Sequence, residues 1–149
     1  MKALLQRVKE AKVVVENRVY AQIGKGLLAL VCIEKGDDEK IVAWMGEKLV
    51  NLRIFPDEAG KFNLSVKEIG GEILLVSNFT LAGELKKGTR PSFHRAEEPE
   101  RAKAMLQTLE EEIAKRGIKV KSGLFGAHME IFLINDGPVT ILLEKGAQG

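Results

Sequence analysis

The chain has 149 residues, 45% of them apolar and 30% charged, with 15 Gly and 4 Pro. That length suits one domain spanning 1–149, and the composition excludes collagen-like, low-complexity and disordered classes. The formal charge is +2, but Leu85 to Ala96 carries Lys86, Lys87, Arg90 and Arg95 without an acid, and Ile113 to Met129 carries Lys115, Arg116, Lys119 and Lys121 without one. The remainder is net acidic, so two local basic segments would suit a polyanion touched at a few phosphates, with a solvated charged face as the blander reading. The longest uncharged stretch, Ile73 to Gly83, has 11 residues, against roughly 20 apolar residues for a membrane helix. No membrane crossing is expected. Arg7, Lys9, Glu10 and Lys12 break up any signal-peptide core and Cys32 is the one cysteine, so a cytoplasmic location is expected.

Along the chain, Ala3 to Val15 reads as a strand, Glu16-Asn17-Arg18 as a turn, and Val19 to Ile23 as a second strand; Gly24-Lys25-Gly26 turns into a third, Leu27 to Ile33. Asp37 or Asp38 can cap a helix whose Ile41, Met45, Leu49 and Leu52 form an apolar stripe, widened by Val42 and Trp44. After a less regular stretch following Pro56 and Gly60, Gly70-Gly71 leads into Glu72 to Phe79. Ile73-Leu74-Leu75-Val76 is apolar on both faces, as in a central strand. Pro99 opens a second helix with Ala102, Met105, Leu106, Leu109 and Ile113 on one face and Gly117 as its stop. Strands Glu130 to Ile134 and Val139 to Leu143 follow, with Asn135-Asp136-Gly137-Pro138 as a turn between them. The expected fold is a single α+β domain with a mostly antiparallel, barrel-like sheet and two principal helices.

Familiar catalytic constellations are sparse. His94 and His128 are not spaced for a metal with another His or Cys. No phosphate-cradling glycine loop occurs, and the acids Asp37, Asp38, Glu39, Glu97, Glu98 and Glu100 sit where they would cap helices. No metal and no cofactor is expected. Cys32, inside an apolar run, reads as an inert small hydrophobe. Two segments stay open: Ser77-Asn78-Phe79-Thr80 could line a cleft or simply end its strand, and Asn135 to Thr140 could be a site or a plain hairpin.

Five blocks carry a resemblance. They are Met1-Lys2-Ala3-Leu4-Leu5-Gln6-Arg7-Val8, Ser77-Asn78-Phe79-Thr80-Leu81, Gly88-Thr89-Arg90-Pro91-Ser92-Phe93, Gly123-Leu124-Phe125-Gly126-Ala127-His128-Met129 and Asn135-Asp136-Gly137-Pro138-Val139-Thr140. In order and spacing, almost end to end, they resemble the D-aminoacyl-tRNA deacylases, also called D-tyrosyl-tRNA deacylases. The family's Ser-Gln-x-Thr stands here as Ser77-Asn78-Phe79-Thr80, one methylene shorter at 78, which leaves a backbone role for the block intact.

The resemblance implies a homodimeric enzyme that hydrolyses the ester between a D-amino acid, or glycine, and the 3′-terminal adenosine of tRNA, sparing the L form. Ser77, Asn78, Phe79 and Thr80 would form the catalytic block. Gly137 and Pro138, joined by a cis bond and reaching into the partner's pocket, would meet the substrate's α-ammonium with their carbonyls and leave no room for an L side chain. Arg7 would hold those carbonyls. Phe125 and Met129 would lie against the terminal adenosine and the amino acid, though each could be core. Aminoacyl-tRNA is thus the implied partner, with the acceptor stem on the basic runs. The other readings are an RNA-end binding module without catalysis and a structural dimer.

Overall fold

The computed structural model describes residues 1–146. Its organising element is β1 (Lys2–Val15), which pairs antiparallel with β2 (Arg18–Ile23) through residues 11–15 and with β3 (Gly26–Cys32) through residues 2–8. Glu16 and Asn17 both adopt positive φ, 50° and 65°, the geometry that lets a two-residue hairpin follow the twist of its strands. The other edge of β1 carries β8 (Glu130–Glu144), antiparallel.

Helix α1 (Glu39–Asn51) starts where Asp38 accepts a hydrogen bond from the Ile41 N–H at 3.0 Å. Asp37 does not cap it. That carboxylate is buried and accepts from the Met1 ammonium at 2.9 Å and the Glu34 N–H at 2.8 Å. A short hairpin of β4 (Phe55–Pro56) and β5 (Phe62–Leu64) lies in the stretch read as irregular.

The central strand β6 (Glu72–Ser77) pairs parallel with β3 and with β7 (Lys119–Ser122), and α2 (Pro99–Lys115) links β6 to β7. The sheet is mostly antiparallel as expected, but these two parallel ladders were not foreseen. Strand β7 has Val120 as its one large apolar residue, so its pattern carries little signal.

One expected turn is not a turn. Asn135 to Pro138 lies inside β8, and both halves of that strand pair with β1: Ile134 opposite Glu10, Ile141 opposite Leu5. Between Val8 and Gln6 on β1, β8 advances from Asn135 to Thr140, so the extra residues swell out as a bulge without reversing the chain.

Alternation along the strands builds two cores. Ala3, Leu5, Leu27, Ala29, Ile73 and Leu75 face α1 and α2, meeting Ile41, Met45, Leu49, Leu109 and Ile113. Val8, Ala11, Val13, Ile23, Leu28, Leu74 and Val76 face the opposite way, so β6 is covered on both sides as its sequence required. Strand β8 also leaves apolar side chains uncovered: Phe132 and Ile134, on the face turned away from the second core, and Leu142, on the face turned away from the first, are each about half exposed, at 50%, 48% and 51%.

Candidate active site

Strands β3 and β6 end side by side, with Val31 level with Ser77. The reading that ran β6 on to Phe79 is two residues too long, because Phe79–Ala82 forms a 3₁₀ turn. The Asn78 N–H is tied to the Val31 carbonyl at 2.8 Å, Leu81 N–H closes on the Asn78 carbonyl at 3.3 Å, and Gly83 N–H closes on that of Thr80 at 3.0 Å. The N–H groups of Phe79 and Thr80 head this turn, where its own carbonyls cannot reach them. Neither finds an acceptor among the described residues. The Thr80 hydroxyl donates to the Asn78 side-chain carbonyl.

A cavity of about 620 Å³ opens beside the turn, lined by Ser77, Asn78 and Phe79 and, from the segment after β7, by Phe125 and Met129. Its size is that of a small-ligand pocket. Met129 and Phe125 line the cavity and each also packs on a core, Met129 on the second and Phe125 on the first. A Cβ at Gly123 would sit 2.7 Å from the Met129 sulfur, so a larger residue there would push the methionine side chain from its present place.

The remaining expected site residues are elsewhere. Gly137 and Pro138 are exposed and joined by a cis peptide bond. They do not line the cavity: from their bulge to Ser77 is three strand spacings across and about four residues along, on the order of 20 Å measured along the sheet. Arg7, 8% exposed, donates from Nε to the Asp136 carbonyl at 2.8 Å and from Nη1 to the Ile54 carbonyl at 2.8 Å. The expectation that it holds the carbonyls of Gly137 and Pro138 is therefore shifted by one residue. Asn135 braces the other side of the bulge, donating to the Arg7 and Val139 carbonyls at 3.2 and 2.9 Å and accepting from the Val139 N–H at 3.2 Å.

The cavity wall also includes Cys32, Phe93 and Glu98, none of which the sequence reading places in a site. Phe93 lay within a quoted block, so a signal existed. Glu98 precedes α2 but makes no side-chain cap; Glu97 instead accepts from the Glu98 N–H at 2.9 Å and from Arg101 Nε at 3.0 Å. Cys32 is buried, and desolvation first, then the nearby Glu34 charge, push its thiol up to about 11. Because the thiolate is the reactive form, Cys32 should resist a thiol reagent at pH 8 in the folded protein and react after unfolding; rapid labelling of the native chain would contradict this.

The two basic stretches differ in how their charges are used. Lys115 and Arg116 both pair with Glu112, at 3.0 and 3.7 Å, and Lys121 reaches the Gln22 carbonyl at 2.7 Å and Glu72 at 4.0 Å. In the first stretch Arg95 pairs with Glu84 at 3.3 Å. Lys86, Lys87 and Arg90 are exposed and have no acidic partner among the described residues. Three of the four cations on the first stretch thus lack an acidic partner among the described residues, against Lys119 alone on the second.

No helix among the described residues is long and apolar enough to cross a membrane. The model of the family described as D-Tyr-tRNA(Tyr) deacylase matches residues 4–144. A D-aminoacyl-tRNA deacylase of Magnetococcus marinus is 56% identical over 149 residues, covering 99% of each chain, and one of Carboxydothermus hydrogenoformans is 52% identical, covering 97% of this chain and 99% of its own. Among solved structures, the c-Myc DNA Unwinding Element Binding Protein superposes with a TM-score of 0.93 at 42% identity, over 99% of this chain and 100% of its own. A probable eukaryotic D-amino acid tRNA deacylase, 17% identical, shares the fold with a TM-score of 0.84. A family model spanning nearly the whole chain and relatives above 50% identity agree, and the chain belongs to the D-aminoacyl-tRNA deacylase family.

Proposed function

We propose that this protein hydrolyses the ester of D-aminoacyl-tRNA, and of glycine mischarged on tRNA, releasing free amino acid and tRNA while rejecting L-aminoacyl-tRNA. The observation that carries the reading is the pair of N–H groups without an acceptor among the described residues, Phe79 and Thr80, on a turn whose Phe79 lines a cavity of about 620 Å³. Donors preset where an oxyanion develops stabilise ester hydrolysis without reorganisation. Ser77 and Asn78 shape the turn, while Phe125 and Met129 offer a ring and a thioether against which an adenosine and an amino acid can rest. The unpaired Lys86, Lys87 and Arg90 suit acceptor-stem phosphates better than the second basic stretch does, so binding should weaken with salt.

The protein supplies position and electrostatics; the nucleophile is water, assisted by the terminal ribose 2′-hydroxyl beside the ester. Chiral rejection falls to Gly137 and Pro138, which lie too far from their own cavity and are therefore supplied by a second copy of the chain. The half-exposed Phe132 and Ile134, on the same strand as the bulge, belong to the face that this second copy covers.

The testing experiment is hydrolysis of matched D- and L-tyrosyl-tRNA by the purified chain. Rapid release from the D ester with the L ester spared is expected. Equal rates would remove the proofreading reading, and tight tRNA binding without hydrolysis would favour a binding module.

A further inference from the structure

We propose that Phe93 is a positioning residue that clamps the Phe79–Ala82 turn and so holds the Phe79 and Thr80 N–H groups at the angle the oxyanion requires. The inference rests on the function proposed above, to which it adds a residue with no assigned role.

Phe79 is exposed at 57%, so the core does not hold its ring. What holds it is Phe93: the two rings meet edge to face, centroids 5.2 Å apart and planes at 81°, the arrangement aromatic quadrupoles favour. The same ring also closes the far end of the turn. A Cβ on Gly83 would come within 3.1 Å of Phe93 Cε1 and 3.0 Å of the Thr80 carbonyl, so the ring already fills the space over Gly83. One side chain thus touches residues on both sides of Thr80.

The ring is itself fixed. Glu84 and Ser92 exchange reciprocal N–H to carbonyl hydrogen bonds at 2.8 and 2.9 Å, Ala96 N–H bonds the Phe93 carbonyl at 3.0 Å, and Lys35 N–H bonds that of Arg95 at 2.9 Å. The segment carrying Phe93 is therefore pinned to the turn's exit on one side and to the end of β3 on the other. A 3₁₀ turn of four residues has few hydrogen bonds of its own, and an external clamp supplies the rigidity that preset donors need.

The test is steady-state hydrolysis of D-tyrosyl-tRNA by Phe93→Ala, Phe93→Tyr and Phe93→Leu. Loosening the donors should lower kcat of Phe93→Ala by between about tenfold and a hundredfold with KM little changed, while Phe93→Tyr, which keeps the ring edge, should restore kcat. Amide exchange at Leu81 and Gly83 should quicken in Phe93→Ala, a readout independent of activity. Should Phe93→Ala fail to fold, Phe93→Leu, which keeps apolar bulk but removes the ring edge against Phe79, should show the same fall in kcat. A folded Phe93→Ala with unchanged kcat, or one whose KM alone rises, overturns the clamp. A wild-type protein inactive on every D ester would instead overturn the function beneath it.

Discussion

D-Tyrosyl-tRNA ending in 2′-deoxyadenosine is expected to bind this protein normally yet to resist hydrolysis by at least about 10³-fold, because a group held beside a reacting centre acts at a very high effective concentration. The reason lies in what the site lacks among its described residues. The one hydroxyl in the turn, Thr80, is already donating to the Asn78 amide oxygen, which is no base, and an alcohol nucleophile needs one. His94 is exposed and shares Nδ1 with Ser92 Oγ at 2.9 Å, and Glu97 is occupied by Arg101. Thr80→Ala should therefore retain activity within about threefold, and Asn78→Ala, which removes only the acceptor of that hydroxyl, should lose far less than the roughly 10² to 10³ of a deleted oxyanion donor. Glu98, the remaining carboxylate lining the cavity, supplies the control: Glu98→Gln should leave the rate near wild type. Normal cleavage of the deoxy substrate with a dead Thr80→Ala, or an acyl group trapped on Thr80, would make the hydroxyl the nucleophile. A dead Glu98→Gln would make that carboxylate the base.

What the sequence displayed of this fold followed from burial. Ile73 to Val76 is apolar at every position because β6 has a core on each face, and the stripe of α1 is visible because one side of that helix meets the sheet. Where burial does not decide, the pattern was silent. Strand β7 was invisible because it is four residues long, alternates exposed lysines with half-buried side chains and has Val120 as its one large apolar residue, and the β8 bulge looked like a hairpin because Asn, Asp, Gly and Pro are the same residues in both. What keeps the strand running is long-range: the Asn135 side chain and the Arg7 guanidinium tie the bulge to β1 and to Ile54, partners that no local window contains. The candidate site shows the same division. The quoted blocks named Ser77, Asn78, Phe79, Phe125 and Met129, which the fold brings to one cavity, Thr80, which sits on the adjoining turn, and Gly137, Pro138 and Arg7, which it leaves at another place. Cys32 and Glu98 reach the cavity only because β3 and the start of α2 end beside β6, a fact of topology.

That separation yields the second large effect. If Gly137 and Pro138 act in the cavity of a second copy, then a subunit with a blocked cavity and a subunit with a disturbed bulge, each inactive alone, should rescue one another when mixed. Ala127→Trp would fill the cavity that Ala127 lines. Gly137→Ala would disturb the bulge, since a Cβ there falls 2.1 Å from the Val139 nitrogen and 2.9 Å from its Cγ2, so the backbone must shift. In a two-fold dimer each mixed pair contains one site with both parts intact, so random re-pairing should restore about a quarter of wild-type activity. A site built from a single chain would give none. The same geometry makes the outer face of β8 indispensable: Ile134→Asp places a carboxylate where an apolar side chain, 48% exposed in the single chain, is expected to be covered, and an uncompensated buried charge costs several kcal/mol. Light scattering should then show a monomer, and D-tyrosyl-tRNA hydrolysis should fall to background with the fold retained by circular dichroism, since the mutated side chain touches neither core. A monomer that hydrolyses the D ester at full rate and still spares the L ester would mean that each chain carries its own chiral filter, and the assignment of that role to Gly137 and Pro138 would be wrong.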